Sequence, residues 1–280
     1  MSKILAAIEP SAAAGPVLDV ATALAARLGL TPVALHVLEG DPEPVRMLAE
    51  RWGVRLLLVE GGTPADAILA ALDAEDAELA VVGARRLRAG PRPAGTTALA
   101  VASGAARPVV VVPPGTDQPP AVDPKLLVLP LEDAEELSAA AGEALLRLGG
   151  AGIRLLVVHV FDEANAPRFW DRPEHDAQAW AHEFLARWDP APEVELELRA
   201  GPPVEGILEV ATEHGADLIA LSWSQELAEH RDLVAREILA RAPVPVVLLP
   251  CASPQRPERA GRAGAVTPVP DPLSAAGGGR

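Results

Sequence analysis

Over the first 115 residues the apolar positions switch repeatedly between two periods. Short continuous apolar runs, KILAAI (3–8), PVALHVL (32–38), VRLLLVE (54–60), ELAVVG (78–83) and PVVVVP (108–113), read as buried strands. Between them the period lengthens to that of a helix. Val17, Val20, Leu24 and Leu28 recur at helical spacing behind Pro16, EPVRMLAERW (43–52) forms a short helix, Thr63-Pro64 opens another through Leu72, and a small-residue helix begins at about Gly95. Continuous Val/Leu strands joined by helices predict a parallel sheet covered on both faces, with right-handed crossovers: a doubly wound α/β domain.

The same order then repeats. KILAAIE (3–9) is echoed by KLLVLPL (125–131), VALHVLE (33–39) by LVVHVFD (156–162), residues 63–83 by 202–222, and ARPVVVVPP (106–114) by PVPVVLLPC (243–251). The offset grows from 122 to 139 because the second copy carries a longer segment after its second strand. The pattern predicts domains at 1–115 and 125–252 joined by a Pro-rich linker at 116–124. Residues 253–280 are Pro, Gly, Ala and Arg without apolar periodicity, a composition that predicts a disordered tail.

Charge narrows the partners. The chain carries 24 Lys and Arg against 39 Asp and Glu, a formal −15, which argues against nucleic acid or an anionic membrane surface as partner. Residues 116–252 hold nearly all of that excess, with 10 basic against 25 acidic side chains, whereas residues 1–115 have 10 against 12. A single cysteine, Cys251, excludes an internal disulfide framework. The start MSKILAAIEP has no signal-peptide pattern, and no apolar run approaches the roughly 18 residues that span a bilayer, so the expected compartment is the cytoplasm.

Against that acidic background the stretch VVGARRLRAGPRPAGTT (81–97) stands out. In an open α/β sheet ligands sit beyond the carboxyl ends of the strands. This loop leaves the carboxyl end of the fourth strand and feeds a helix at Gly95-Thr96-Thr97, where free backbone N–H groups and the helix dipole favour an anion. Gly83, Gly90 and Gly95 permit close approach, and Arg85, Arg86, Arg88 and Arg92 offer charge-assisted hydrogen bonds to phosphate. The plainer alternative is a surface loop whose arginines offset Glu75, Asp76 and Glu78.

Taken together, the repeated strand order and this loop resemble the universal stress protein family, in its tandem two-domain form, over nearly all of residues 1–251. The resemblance implies two five-stranded parallel sheets flanked by helices, with ATP in some members and none in others. It assigns Glu9 to the place of a first-strand Asp that touches adenine, Val37 to the second-strand position whose backbone does likewise, Gly83 to the first loop glycine, and Gly95 and Thr96, followed by Thr97, to the terminal Gly-Ser/Thr pair. Arg86 stands at the second loop glycine, unless Gly90 takes over that turn. The implied ligand is an adenine nucleotide, ATP with Mg, held weakly by the first domain.

The second copy departs further: Leu131 stands for the first-strand carboxylate, Ser222 and Gln225 for the loop glycines, and Asp232-Leu233 for the Gly-Thr pair. A carboxylate at a helix N-terminus repels phosphate, so this domain is expected to bind no nucleotide. Family resemblance also implies that the last strands, VVVV (109–112) and VVLL (246–249), meet and relieve two apolar edges, giving an intramolecular pseudo-dimer that is open to further homodimerisation.

Other chemistry finds less support. His36 and His159 occupy matching strand ends, which favours packing or strand-end hydrogen bonding over catalysis. His175 and His182 lie too far apart for an i,i+4 metal chelate. Phe169, Trp170, Trp180, Phe184 and Trp188 cluster in the second copy's insertion, as an apolar stripe or a surface for an unknown protein partner. No nucleophile elbow, triad or Walker sequence is present, so catalytic residues and metal ligands are expected to be none and the protein is expected not to be an enzyme. The readings left are a regulatory nucleotide binder and a nucleotide-free interaction scaffold of the same fold.

Overall fold

The computed structural model describes residues 2–38, 40–84, 96–114, 122–131, 146–161, 194–223 and 231–250. The first copy contributes β1 (Lys3–Ala7), α1 (Ala14–Leu28), β2 (Thr31–Val37), α2 (Glu43–Trp52), β3 (Arg55–Val59), α3 (Pro64–Ala74), β4 (Ala77–Gly83), α4 (Thr96–Gly104) and β5 (Val109–Val112). The second contributes β6 (Leu126–Pro130), a helical stretch over 146–150, β7 (Arg154–Phe161), β8 (Val194–Ala200), α5 (Pro203–Glu213), β9 (Leu218–Trp223), α6 (Arg231–Arg241) and β10 (Val246–Pro250). The tail, most of the linker, the aromatic insertion with His175 and His182, and Arg85 to Gly95 lie outside the described residues.

Local chemistry explains the element boundaries. Pro64 stands at the first position of α3, where its missing N–H is no loss, and the Thr63 hydroxyl accepts the Asp66 N–H as an N-cap. Val and Leu fill the inner strands with residues buried on both faces, whereas the outermost strands β3 and β8 are only partly buried. Two apolar clusters result, one per face: α1 and α2 cover one face of the first half's sheet, and α3 and α4 the other.

The strands form one sheet of ten in the order β3-β2-β1-β4-β5-β10-β9-β6-β7-β8. Within each half the pairings are parallel, as the crossover helices require. The halves meet where β5 and β10 pair antiparallel, with Val246 opposite Val111, Val247 opposite Val110 and Leu248 opposite Val109. Val109 and Val246 are repeat equivalents, so the pairing is self-complementary about Val110 and Val247. The two apolar last strands that would otherwise be edges thus satisfy each other. Among the described residues no helix is long and apolar enough to cross a membrane.

The backbone corrects one register. Thr31 and Arg154 open equivalent strands, and their N–H groups donate to the carbonyls of Ser2 and Lys125. Ile8 N–H donates to Leu35 O, and Leu131 N–H to Val158 O. The first-strand offset is therefore 123 and not 122, so Leu131 is the counterpart of Ile8. The residue in sequence register with Glu9 is Glu132, a carboxylate, and Leu131 does not replace it.

Candidate functional site

The first half's carboxyl edge collects five of the predicted site residues. Glu9 lies two residues beyond β1, half-buried, and its Oε1 accepts the Ser11 hydroxyl at 3.2 Å. Ser11 Oγ in turn accepts the Ala13 N–H at 3.3 Å, just before α1 begins. The carboxylate is thereby joined to the entry of α1. Ser11 is the contributor that sequence reading missed, and its only signal was a hydroxyl between the strand and the helix.

Val37 closes β2 opposite Val59, and Gly83 closes β4 opposite Val112. At Gly83 a side chain would meet α1, because a Cβ built there lies 3.3 Å from Val17 Cγ2 and 3.7 Å from Ala13 Cβ. Glycine lets the start of α1 close on the end of β4. Thr96 and Thr97 are exposed at the start of α4, whose first-turn N–H groups have no partner within the helix. Arg86, Gly90 and Gly95 lie outside the described residues.

Beneath this edge His36, 5% exposed, donates from Nδ1 to the Ile8 carbonyl at 3.0 Å. His159 does the same to the Leu131 carbonyl at 2.6 Å, again across 28 residues. The carbonyl acceptor fixes the proton on Nδ1 in both rings. Each histidine pins the end of its half's first strand to the second, the strand-end role expected of them, and His36 thereby sets where the chain emerges as Glu9.

The acids that the plainer reading assigns to the basic loop, Glu75, Asp76 and Glu78, have partners of their own among the described residues. Those acids precede or open β4, at the opposite edge of the sheet from Ala84 and Thr96, which bound the loop. Glu75 pairs with Lys3 at 2.8 Å and with Arg55, Asp76 with Arg107 at 3.2 Å, and Glu78 with Arg147 of the second half. Burial pushes the Glu75 carboxyl up, but hydrogen bonds from Lys3 and Arg55 and their charges outweigh it and hold the group below its ordinary value. The only cluster of potential metal ligands among the described residues is Glu197, Glu213 and His214, and Arg199 already pairs with both carboxylates there.

The universal stress protein family model matches residues 46–113 and 125–250. The chain belongs to the universal stress protein family. It holds two matches to the family in tandem, as the internal repeat implies. The fold agrees with that of a Pseudomonas aeruginosa UCBPP-PA14 protein described as a universal stress protein, at 16% identity over 90% of this chain and 94% of that one, with a TM-score of 0.64. A universal stress protein from Archaeoglobus fulgidus is similar at 16% identity over 89% of this chain and 98% of that chain, with a TM-score of 0.59. No curated protein sequence matches the chain.

Proposed function

We propose that the protein is a stress-response regulator whose first half binds an adenine nucleotide, ATP with Mg, and that it acts by binding without turnover. The observation that carries this reading is the convergence at one sheet edge of the Glu9 carboxylate, the Val37 strand end, the Gly83 close approach and the exposed start of α4. Glu9 supplies an acceptor for an exocyclic amino group. The first-turn N–H groups and hydroxyls of Thr96 and Thr97 supply donors for phosphate, with the helix dipole behind them. Nucleotide, when bound, brings the negative charge that the arginines of residues 85–92 complement. The acids that would compete for those arginines have other partners, which supports the phosphate reading over a neutralising surface loop.

The second half retains a carboxylate in sequence at Glu132, yet has Ser222 in register with Gly83 and Asp232 where Gly95 stands. The proposal therefore assigns nucleotide to the first half alone.

Calorimetric titration with Mg-ATP, ADP and AMP tests it, using the parent chain and Thr96→Asp. The new carboxylate favours the helix while opposing phosphate, so folding is preserved and affinity is expected to fall at least tenfold. Heat unchanged by Thr96→Asp would move the ligand elsewhere. No heat with any nucleotide would leave the interaction scaffold as the reading, and measurable ATP hydrolysis would remove the non-enzymatic part.

A further inference from the structure

The junction of the two halves encloses a cleft at the edge of the sheet away from the proposed nucleotide site. It lies between α1 and the helical stretch 146–150, over β4, β5 and β10. The floor is apolar, made by Leu24, Leu28, Leu79, Val110, Val247 and Leu249, and the rim carries Asp76, Glu78, Arg107 and Arg147. The volume is about 260 Å³. A dry apolar cavity of about 150 Å³ holds one benzene, so this space suits a ligand of roughly ten to twelve heavy atoms. An apolar hollow with a few convergent polar groups is the usual form of a small-molecule site.

We propose that this cleft binds a small amphiphilic carboxylate of about the size of octanoate, with its carboxylate on Arg107 and its aliphatic part on the apolar floor. Arg107 is positioned for that role. Its Nη1 donates to the carbonyls of Leu72, at 3.2 Å, and Ala77, which fixes the guanidinium plane. Among the described residues its Nη2 faces Asp76, at 3.2 Å, and the Asp76 side chain is 94% exposed. An ion pair that open to water contributes little and is readily exchanged for another carboxylate. By contrast, the Arg147 pair with Glu78 is more sheltered, Glu78 being 24% exposed, and it closes the opposite wall from the second half.

Asp76 itself marks the place. It is the only non-glycine residue with positive φ among the described residues, at 48°, and its repeat counterpart is Gly215, at 62°. The second half has the residue that this backbone prefers, whereas the first keeps a strained aspartate over the cleft's arginine. Strain held at one position of a repeat, beside a cavity, is the pattern of a residue retained for a site. Asp76 acts here as an internal carboxylate that the ligand's own carboxylate displaces. A cationic head group could reach the exposed Asp76 only beside the fixed Arg107 guanidinium, while Glu78 is held by Arg147, so it is disfavoured.

The test is calorimetric titration of the full chain with octanoate, octanol and octylamine. Octanoate is expected to bind in the submillimolar range, about tenfold tighter than octanol, with no heat from octylamine. Asp76→Gly, which frees Arg107 and relieves the left-handed backbone, is expected to tighten octanoate several-fold and raise the melting temperature. Ala106→Trp fills the cleft from an exposed lining position, so it is expected to abolish octanoate binding with the fold intact. The proposal is overturned by no octanoate heat, by equal binding of the three amphiphiles, or by octanoate binding that survives Ala106→Trp. Nucleotide binding sits at the other edge of the sheet and is expected to be unaffected by either variant.

Discussion

Glu75 ties three elements together, reaching Lys3 at the start of β1 and Arg55 at the start of β3 from the end of α3. Its folded-state carboxyl titrates below its ordinary value of 4.5, so the unfolded chain takes up the proton first as pH falls. The stabilisation is complete above about pH 4.5 and is lost as pH drops through the lowered folded value. Glu75→Gln is expected to cost about 1 kcal/mol at pH 7 and progressively less as pH falls below about 4.5, read from urea midpoints at neutral and acid pH. A cost unchanged by acid would assign the loss to packing. His36→Phe leaves the Ile8 carbonyl without its side-chain donor in a buried place and is expected to cost about 2 kcal/mol, with weaker Mg-ATP binding because Glu9 loses its fixed point of emergence. The histidines were legible as strand-end residues because they recur at equivalent positions. The first-strand register was not, because the match of Lys3 with Lys125 drew it off by one. A strand-opening lysine reaches solvent and carries little register information, whereas the backbone bonds to Ser2 and Lys125 leave no freedom.

Among the elements, the first half's strands and helices were readable throughout, since its strands are continuous apolar runs and its helices have a Pro, Thr or Gly at a boundary, whereas β8, VELELRA, alternates and is only partly buried, and went unread. The pairing of β5 with β10 was legible only as a need, two apolar edges lacking cover, and its antiparallel register comes from tertiary geometry. Val110 and Val247 sit at the centre of that pairing, both buried. Val247→Asp puts a carboxylate on the buried apolar face where β5 and β10 meet, and is expected to cost about 3–5 kcal/mol and to expose apolar surface to a hydrophobic dye. A smaller cost, below about 1 kcal/mol, would mean that the halves do not share this seam. Amide hydrogen exchange at β5 and β10 is expected to be as slow as at β1 and β4.

For the whole molecule, the consequence of one continuous sheet is that the halves stabilise each other. Cross-half contacts reinforce the seam: Arg147 pairs with Glu78, and Arg27 of α1 donates from Nη1 to the Ala151 carbonyl at 3.3 Å. Arg27 Nε also approaches Asp123 to 2.6 Å, as an ion pair not aligned along the N–H axis. Thermal unfolding is therefore expected as a single cooperative transition, with calorimetric and van't Hoff enthalpies in agreement, and two separated transitions would contradict it. The site was legible in outline at this scale, because its residues come from strand ends that the topology gathers. Ser11 and the partners of the acids were not, since both depend on which edge of the sheet a loop reaches. The most direct test of nucleotide binding by the first half is hydrogen–deuterium exchange of the full chain with and without saturating Mg-ATP. Slowed exchange is expected in peptides covering Ile8 to Ala14, Val37–Leu38 and Thr96 to Ala98, with the equivalent strand ends of the second half unchanged. Protection absent from the first half's carboxyl edge, or equal in both halves, would contradict the account.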